Sequence, residues 1–233
     1  MYTCKVCGKT FSNINALGGH STGHKHRDID MTYTQRQILL GGLLGDMSIR
    51  IIRGAANPRV SAVQSVKQTD YLMWKYSVLK NLISNEPYIT SGLDGFGGIK
   101  IHDALRFDTM ALPCLLPIHN LVRGVGNKYI STFWLNEITD PIALAVWYMD
   151  DGSLTNKLRQ MSFALGTISD EECFNIQNWM LYKWDITSHI YSNLQKERVN
   201  IRKTLTLTSR SNVIKFKELI EPYIIPSMVY KIR

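Results

Sequence analysis

Two short stretches of this chain read alike, and each ends in an acid. TQRQILLGGLLGDMS (residues 34–48) and TDPIALAVWYMDDGS (residues 139–153) both carry apolar residues at helical spacing. Thr34 in the first and Asp140 in the second are placed to cap the opening turn, and Pro141 sits at the first helical position. The first stretch finishes at Asp46 and the second at Asp151, 105 residues further on. That interval is too long for a solenoid repeat and fits two copies of one domain.

The material after each acid supports the duplication. Strand-like stretches over 48–52 and 59–67 lead to a helix over 70–83, a strand over 99–107 and an apolar helix over 110–122. After Asp151 come a strand over 160–168, a helix over 170–184, strands over 187–194 and 199–208, and a helix over 212–221. The expectation is an α+β fold of two pseudo-symmetric αββαββα units, residues 32–138 and 139–233, behind a small appendage over 1–28. Strands such as 199–208 alternate apolar with polar or basic residues, which leaves one sheet face wet and open to a ligand.

The first apolar stretch contains Gly41, Gly42 and Gly45, and glycine in a helix costs about 1 kcal/mol each. Close approach to a second backbone offsets that, and Ala143 and Ala145 offer a narrow face. If the two helices pack side by side and parallel, Asp46 and Asp151 emerge together. Two adjacent carboxylates repel unless a cation lies between them, and oxygen ligands select Mg²⁺, Mn²⁺ or Ca²⁺. Lys128 lies 82 residues after Asp46 and Lys231 lies 80 after Asp151. Two acids and two lysines at matched offsets make a pseudo-twofold site of the kind that hydrolyses phosphodiesters. The chain has 27 Lys+Arg against 19 Asp+Glu, a net charge of +8, which suits a polyanionic partner. No apolar run reaches the 18 or so residues of a membrane span, so no membrane is expected as a partner. Four cysteines do not form a disulfide framework, which places the protein in a reducing, intracellular compartment.

The appendage holds Cys4, Cys7, His20 and His24, spaced C-x2-C-x12-H-x3-H, with Phe11 and Leu17 as a minimal core. Ligand type and spacing are those of tetrahedral Zn²⁺, and His26 is an alternative fourth ligand. Residues 1–28 resemble a C2H2 zinc finger, a ββα unit. The resemblance puts the base-contacting positions on Asn13, Ala16 and Gly19, of which only Asn13 has a polar side chain for a base edge. Lys5, Lys9, Lys25 and Arg27 fit phosphate contacts.

GGLLGDMSI and LAVWYMDDGSL resemble the two copies of the LAGLIDADG motif, in the monomeric two-motif branch of the homing endonucleases, and LIEPYIIPSMVYKIR resembles the end of that branch. The likeness spans about residues 32–233. It implies paired motif helices between saddle-shaped antiparallel sheets that straddle a DNA major groove. It assigns Mg²⁺ or Mn²⁺ to Asp46 and Asp151, with contacts from Gly45 and Asp150, and an assisting role to Lys128 and Lys231. The implied reaction is a double-strand break with short 3′ overhangs, made by a monomer in support of intron or intein-type mobility. A strand of about seven residues spans roughly 23 Å, or about seven base pairs, so two halves and a centre reach on the order of 15 to 20. Gln64, Lys67, Arg159, Arg202 and Lys203 are the candidate groove or phosphate contacts, and residues 87–98 read as a loop that orders on DNA. The rival readings are a maturase that binds intron RNA and a DNA-binding regulator that does not cut.

Overall fold

The computed structural model describes residues 1–5, 8–25, 29–93, 101–123, 128–155, 160–194 and 201–233. At the N-terminus β1 (Tyr2–Thr3) pairs antiparallel with β2 (Thr10–Phe11), and α1 (Ile14–Lys25) follows. Cys4 N donates to Lys9 O at 2.8 Å and Gly8 N to Cys4 O at 2.9 Å, a tight turn that Gly8 enters at φ +73°. The Phe11 and His20 rings pack 4.6 Å apart, and Cys4 is buried even in so small a unit.

The first half then runs α2 (Tyr33–Leu44), β3 (Ser48–Ile51), β4 (Pro58–Ser65), α3 (Thr69–Val78), β5 (Tyr88–Leu93), β6 (Ile101–Asp108) and α4 (Leu116–Val122). A short linking helix, α5 (Thr132–Glu137), leads into α6 (Pro141–Asp151), β7 (Gly152–Thr155), β8 (Gln160–Gly166), α7 (Asp170–Trp184), β9 (His189–Leu194), β10 (Ile201–Leu207) and α8 (Arg210–Ile220). Each half is αββαββα. The sheets are ordered β3-β4-β6-β5 and β7-β8-β10-β9, antiparallel throughout and identical in topology.

Three local expectations are corrected. The cap of α2 is Thr32, not Thr34: its extended backbone lets its hydroxyl accept from Gln35 N at 3.2 Å, while Gln35 Oε1 accepts from Thr32 N at 2.9 Å. Residues 88–93, expected as loop, form the edge strand β5, because Tyr88 and Ile89 pair with Arg106 and Leu105 on β6. The strand β7 and the helix α5 are additional elements.

Cross-strand partners share a face of a sheet. In the first sheet Ile49, Val60, Ala62, Gln64 and Phe107 face inward, and Ser48, Arg50, Arg59, Val63 and Arg106 face outward. In the second, Met161, Phe163, Leu205 and Leu207 face inward, and Ser153, Thr155, Gln160, Thr204 and Arg202 outward. Inside, Trp147 of α6 stacks on Phe163 at 4.2 Å, and Tyr148 meets Phe163 and Phe216 edge-on.

The seam between halves is α2 against α6. Gln37 Oε1 accepts from Thr139 N at 2.9 Å and Asp140 N at 3.2 Å, tying the start of α2 to the start of α6. Asp46 N donates to Asp150 Oδ2 at 3.3 Å, tying the ends. The helices are therefore parallel, as the glycine argument requires. A Cβ on Gly41 would lie 2.1 Å from Ala143 O, and one on Gly45 would lie 2.5 Å from Asp150 Cβ, so the backbones meet with no room for a side chain. Among the described residues no helix is long and apolar enough to cross a membrane.

Candidate active site and nucleic-acid interface

Asp46 and Asp151 come together at the C-terminal end of that seam. Asp46 lies in the exposed turn after α2, and Asp151 is the last residue of α6, half-buried. A helix end already carries negative carbonyl potential, so two acids there are uphill unless cations answer them. Part of that answer comes from the chain. Lys231 Nζ donates to Met149 O at 2.6 Å and Asp150 O at 3.0 Å, and Lys128 Nζ to Leu44 O at 3.4 Å. Each lysine thus sits on the final carbonyls of one motif helix, in matching places. Lys128 also lies 5.8 Å over the Trp134 ring. Burial pulls both ammonium groups down from the usual lysine range, while Asp46, Asp150 and Asp151 hold them up.

The Asp151 carboxyl is pushed up to about 7, first by burial and then by the charges of Asp46 and Asp150, with Lys128 and Lys231 opposing. The folded state then binds more protons than the unfolded chain between about pH 4 and 7, so stability falls as pH rises through that window. In EDTA, Asp151→Asn is expected to raise the unfolding free energy by about 2 kcal/mol at about pH 8, allowing for solvent at a half-buried carboxylate, and by nothing below about pH 4. Urea titrations at the two pH values check this.

Asp150 turns inward. Its side chain is fully buried and pairs at 2.6 Å with Lys75 of α3, itself fully buried with its Nζ 4.2 Å from the Tyr71 ring centroid. Gln64 Nε2 donates to Asp46 Oδ2 at 2.8 Å and Asp150 Oδ1 at 3.1 Å. Asp150, expected as a metal contact, here has its carboxylate on Lys75 and Gln64 and its carbonyl on Lys231. Gly45, facing it across the seam, keeps the gap narrow enough for that arrangement.

Two expected groove contacts are corrected by sheet parity. Gln64 has inward parity on β4, is 5% exposed and reaches the acids. Lys203 also faces inward, past a bulge at Lys203/Thr204, and pairs with Asp170 at the head of α7 at 2.6 Å. Asn13, the expected base contact, caps α1, its Oδ1 accepting from Ala16 N at 2.8 Å. Lys67 is exposed in the turn after β4, and Arg202 lies on the outward face of β10. Arg159 and Cys7, and the side chains of His24 and Lys25, lie outside the described residues. Sequence reasoning missed Lys75, although Tyr71, Leu72, Tyr76 and Leu79 frame it on a buried helical stripe, which was the available signal. It also missed Arg50 and Arg59, whose outward placement follows by alternation from Ile49 and Val60.

Two parallel glycine- and alanine-faced helices, each ending in an acid beside two antiparallel sheets of one topology, define a duplicated, two-motif fold. The chain belongs to the LAGLIDADG DNA endonuclease family, whose model matches residues 36–209, and residues 1–28 match the C2H2-type zinc finger. A protein called RecA from Mycolicibacterium flavescens is 31% identical over 206 residues, covering 85% of this chain and 46% of its own length. Cytochrome b mRNA maturase bI2 of Debaryomyces hansenii is 26% identical over 231 residues, covering 98% of this chain and 80% of its own. The protein of that name from Saccharomyces cerevisiae is 29% identical over 214 residues, covering 84% and 46%. The chain spans about half the length of most of these curated relatives. The solved structure of the homing endonuclease I-WcaI bound to its DNA recognition sequence superposes with a TM-score of 0.78 at 18% identity, over 98% of this chain and 96% of that one. At that identity the likeness is one of fold.

Proposed function

We propose that this chain is a site-specific DNA endonuclease that hydrolyses one phosphodiester in each strand of a long duplex target, leaving short 3′ overhangs, with Mg²⁺ or Mn²⁺ held by Asp46 and Asp151. The observation that carries the reading is the meeting of those acids at the end of the α2–α6 seam, flanked by Lys128 and Lys231 in matching places. The donor set fits a hard divalent cation: oxygen ligands only, and a carboxyl on Asp151 raised by burial and crowded negative charge. A bound ion of this kind lowers the pKa of a water and polarises a phosphoryl oxygen.

The chain's own residues do the remainder. Gln64 fixes one oxygen of Asp46, and the Lys75–Asp150 pair fixes Gln64. Lys128 and Lys231, anchored on helix-end carbonyls, supply positive charge where negative charge builds up on the phosphoryl oxygens. The outward sheet faces bind the duplex. Cys4, Cys7, His20 and His24 hold Zn²⁺, and the finger adds phosphate contacts through Lys25 and its neighbours. One chain supplies both acids, so it acts as a monomer, in support of a mobile intron or intein-type element.

The test is a plasmid library with genomic or randomised inserts, treated with the full chain in Mg²⁺ and in EDTA. Breaks at a few long sites, in Mg²⁺ only, are the expected result. Binding without cutting in both Mg²⁺ and Mn²⁺ would overturn the reading. A second reading, a maturase that binds intron RNA, is favoured by the alignment of a cytochrome b mRNA maturase with 98% of this chain. Splicing of a structured intron RNA with and without the protein tests it.

A further inference from the structure

The outward faces of the two sheets share a topology and differ in charge. Register sets Arg50 of β3 directly opposite Arg59 of β4. Like charges directly across an antiparallel pair are destabilising. Among the described residues neither guanidinium has a hydrogen-bond or ion-pair partner to relieve that repulsion. Arg106, on the same face, is treated differently: Asp108 accepts from its Nε at 3.0 Å and its Nη2 at 2.7 Å. Burial pushes the Asp108 carboxyl up, but hydrogen bonds from Arg106, Ser61 and Tyr88 win and hold it at about 2. One arginine is therefore neutralised in place, and two are left facing each other.

The dyad-related place in the second sheet is neutral. Arg50 is four residues after Asp46, and Thr155 is four after Asp151. Thr155 of β7 lies directly opposite Gln160 of β8, as Arg50 lies opposite Arg59. Ser48 opposite Ser61 and Ser153 opposite Ser162 hold the two pairs in the same frame. The Thr155 hydroxyl donates to the Gln160 backbone carbonyl at 3.4 Å, so the Gln160 carboxamide is not engaged by it. In a major groove a guanidinium matches guanine O6 and N7, and a carboxamide matches adenine N6 and N7.

We infer, resting on the DNA-cleaving reading above, that the target is asymmetric at one dyad-related pair of positions, with guanine facing Arg50 and Arg59 and adenine facing Gln160. The unrelieved Arg50–Arg59 repulsion is then relieved by the acceptor edge of the base. The same sheet topology reads two different bases because one cross-strand pair is cationic and its twin is amide and hydroxyl.

The experiment selects bound duplexes from a randomised pool with the full chain, in Ca²⁺ to suppress cutting. The intact chain is expected to enrich guanine in one half-site and adenine at the dyad-related position, each by about tenfold or more over the other base. Arg50→Thr/Arg59→Gln copies the second pair onto the first sheet and is expected to turn that guanine to adenine, leaving every other position unchanged. Gln160→Arg, an independent surface change, is expected to turn the adenine to guanine. A consensus unchanged in both variants overturns the inference and leaves the DNA reading standing. Uniform loss of binding with a salt slope lower by about two makes the arginines phosphate contacts and likewise overturns it. No enriched sequence from the intact chain overturns the DNA reading itself.

Discussion

Asp46→Asn and Asp151→Asn, made singly, are each expected to slow double-strand cleavage by about a thousandfold or more while DNA binding is kept. A carboxamide preserves the shape of the side chain and removes the anion. At Asp46 it can still turn its oxygen toward Gln64 Nε2, which lies 2.8 Å from the native Oδ2, so the local hydrogen bond survives. At Asp151 the change removes a charge that the folded state holds at a cost, so the protein is not weakened. Loss of cutting therefore does not report unfolding. The two acids sit at one end of one seam, so removing either leaves a nick at most. Supercoiled plasmid carrying a selected target shows the outcome as retained supercoil or nicked circle, and full linearisation by either variant sinks the assignment.

The largest stability effect is expected at Lys75. Its ammonium is 2.6 Å from Asp150 Oδ1 with both side chains fully buried. Lys75→Met removes the cation and leaves a buried carboxylate facing the neutral donors of Gln64, the Asp46 backbone and Tyr71, with no cation paired to its charge among the described residues. Breaking such a pair from one side costs about 3–5 kcal/mol. Lys75→Met/Asp150→Asn removes both charges and keeps an acceptor for Gln64 and Asp46, and is expected to recover most of the loss. Chemical denaturation of the three proteins in EDTA checks both statements. A single variant as stable as the native chain would mean that the pair does not hold the seam.

The motif helices were legible because each combines helical periodicity with a capping residue and a terminal acid; the repeat matched Asp46 with Asp151, and near-equal offsets of 82 and 80 residues matched Lys128 with Lys231. What was not legible depends on pairing. Tyr88 to Leu93 is a strand because β6 lies beside it, and local residues such as Ser91 and Gly92 argue for a turn. Gln64 and Lys203 look like surface polar residues, yet a side chain alternates face with every step along a strand, so a register known only to one residue sends either of them to the wrong side. Lys75 was hidden for another reason. Lysine is almost never fully buried unless paired, and its partner, Asp150, is 75 residues away in the other half of the chain. Asp150 itself reads as a twin of Gly45, and only the seam shows that the two positions fill one gap.

That gap also decides which halves can be mates. Gly45 and Asp150 occupy equivalent places and face each other so closely that a Cβ on the glycine would touch the aspartate. Self-pairing of the second half would thrust one Asp150 against another, with no Lys75 from the first half to answer either charge. Self-pairing of the first half would leave two glycines over an empty notch and two buried lysines without their acid. The two halves thus meet at the seam as unlike partners: a glycine and a buried lysine from the first answer one aspartate from the second.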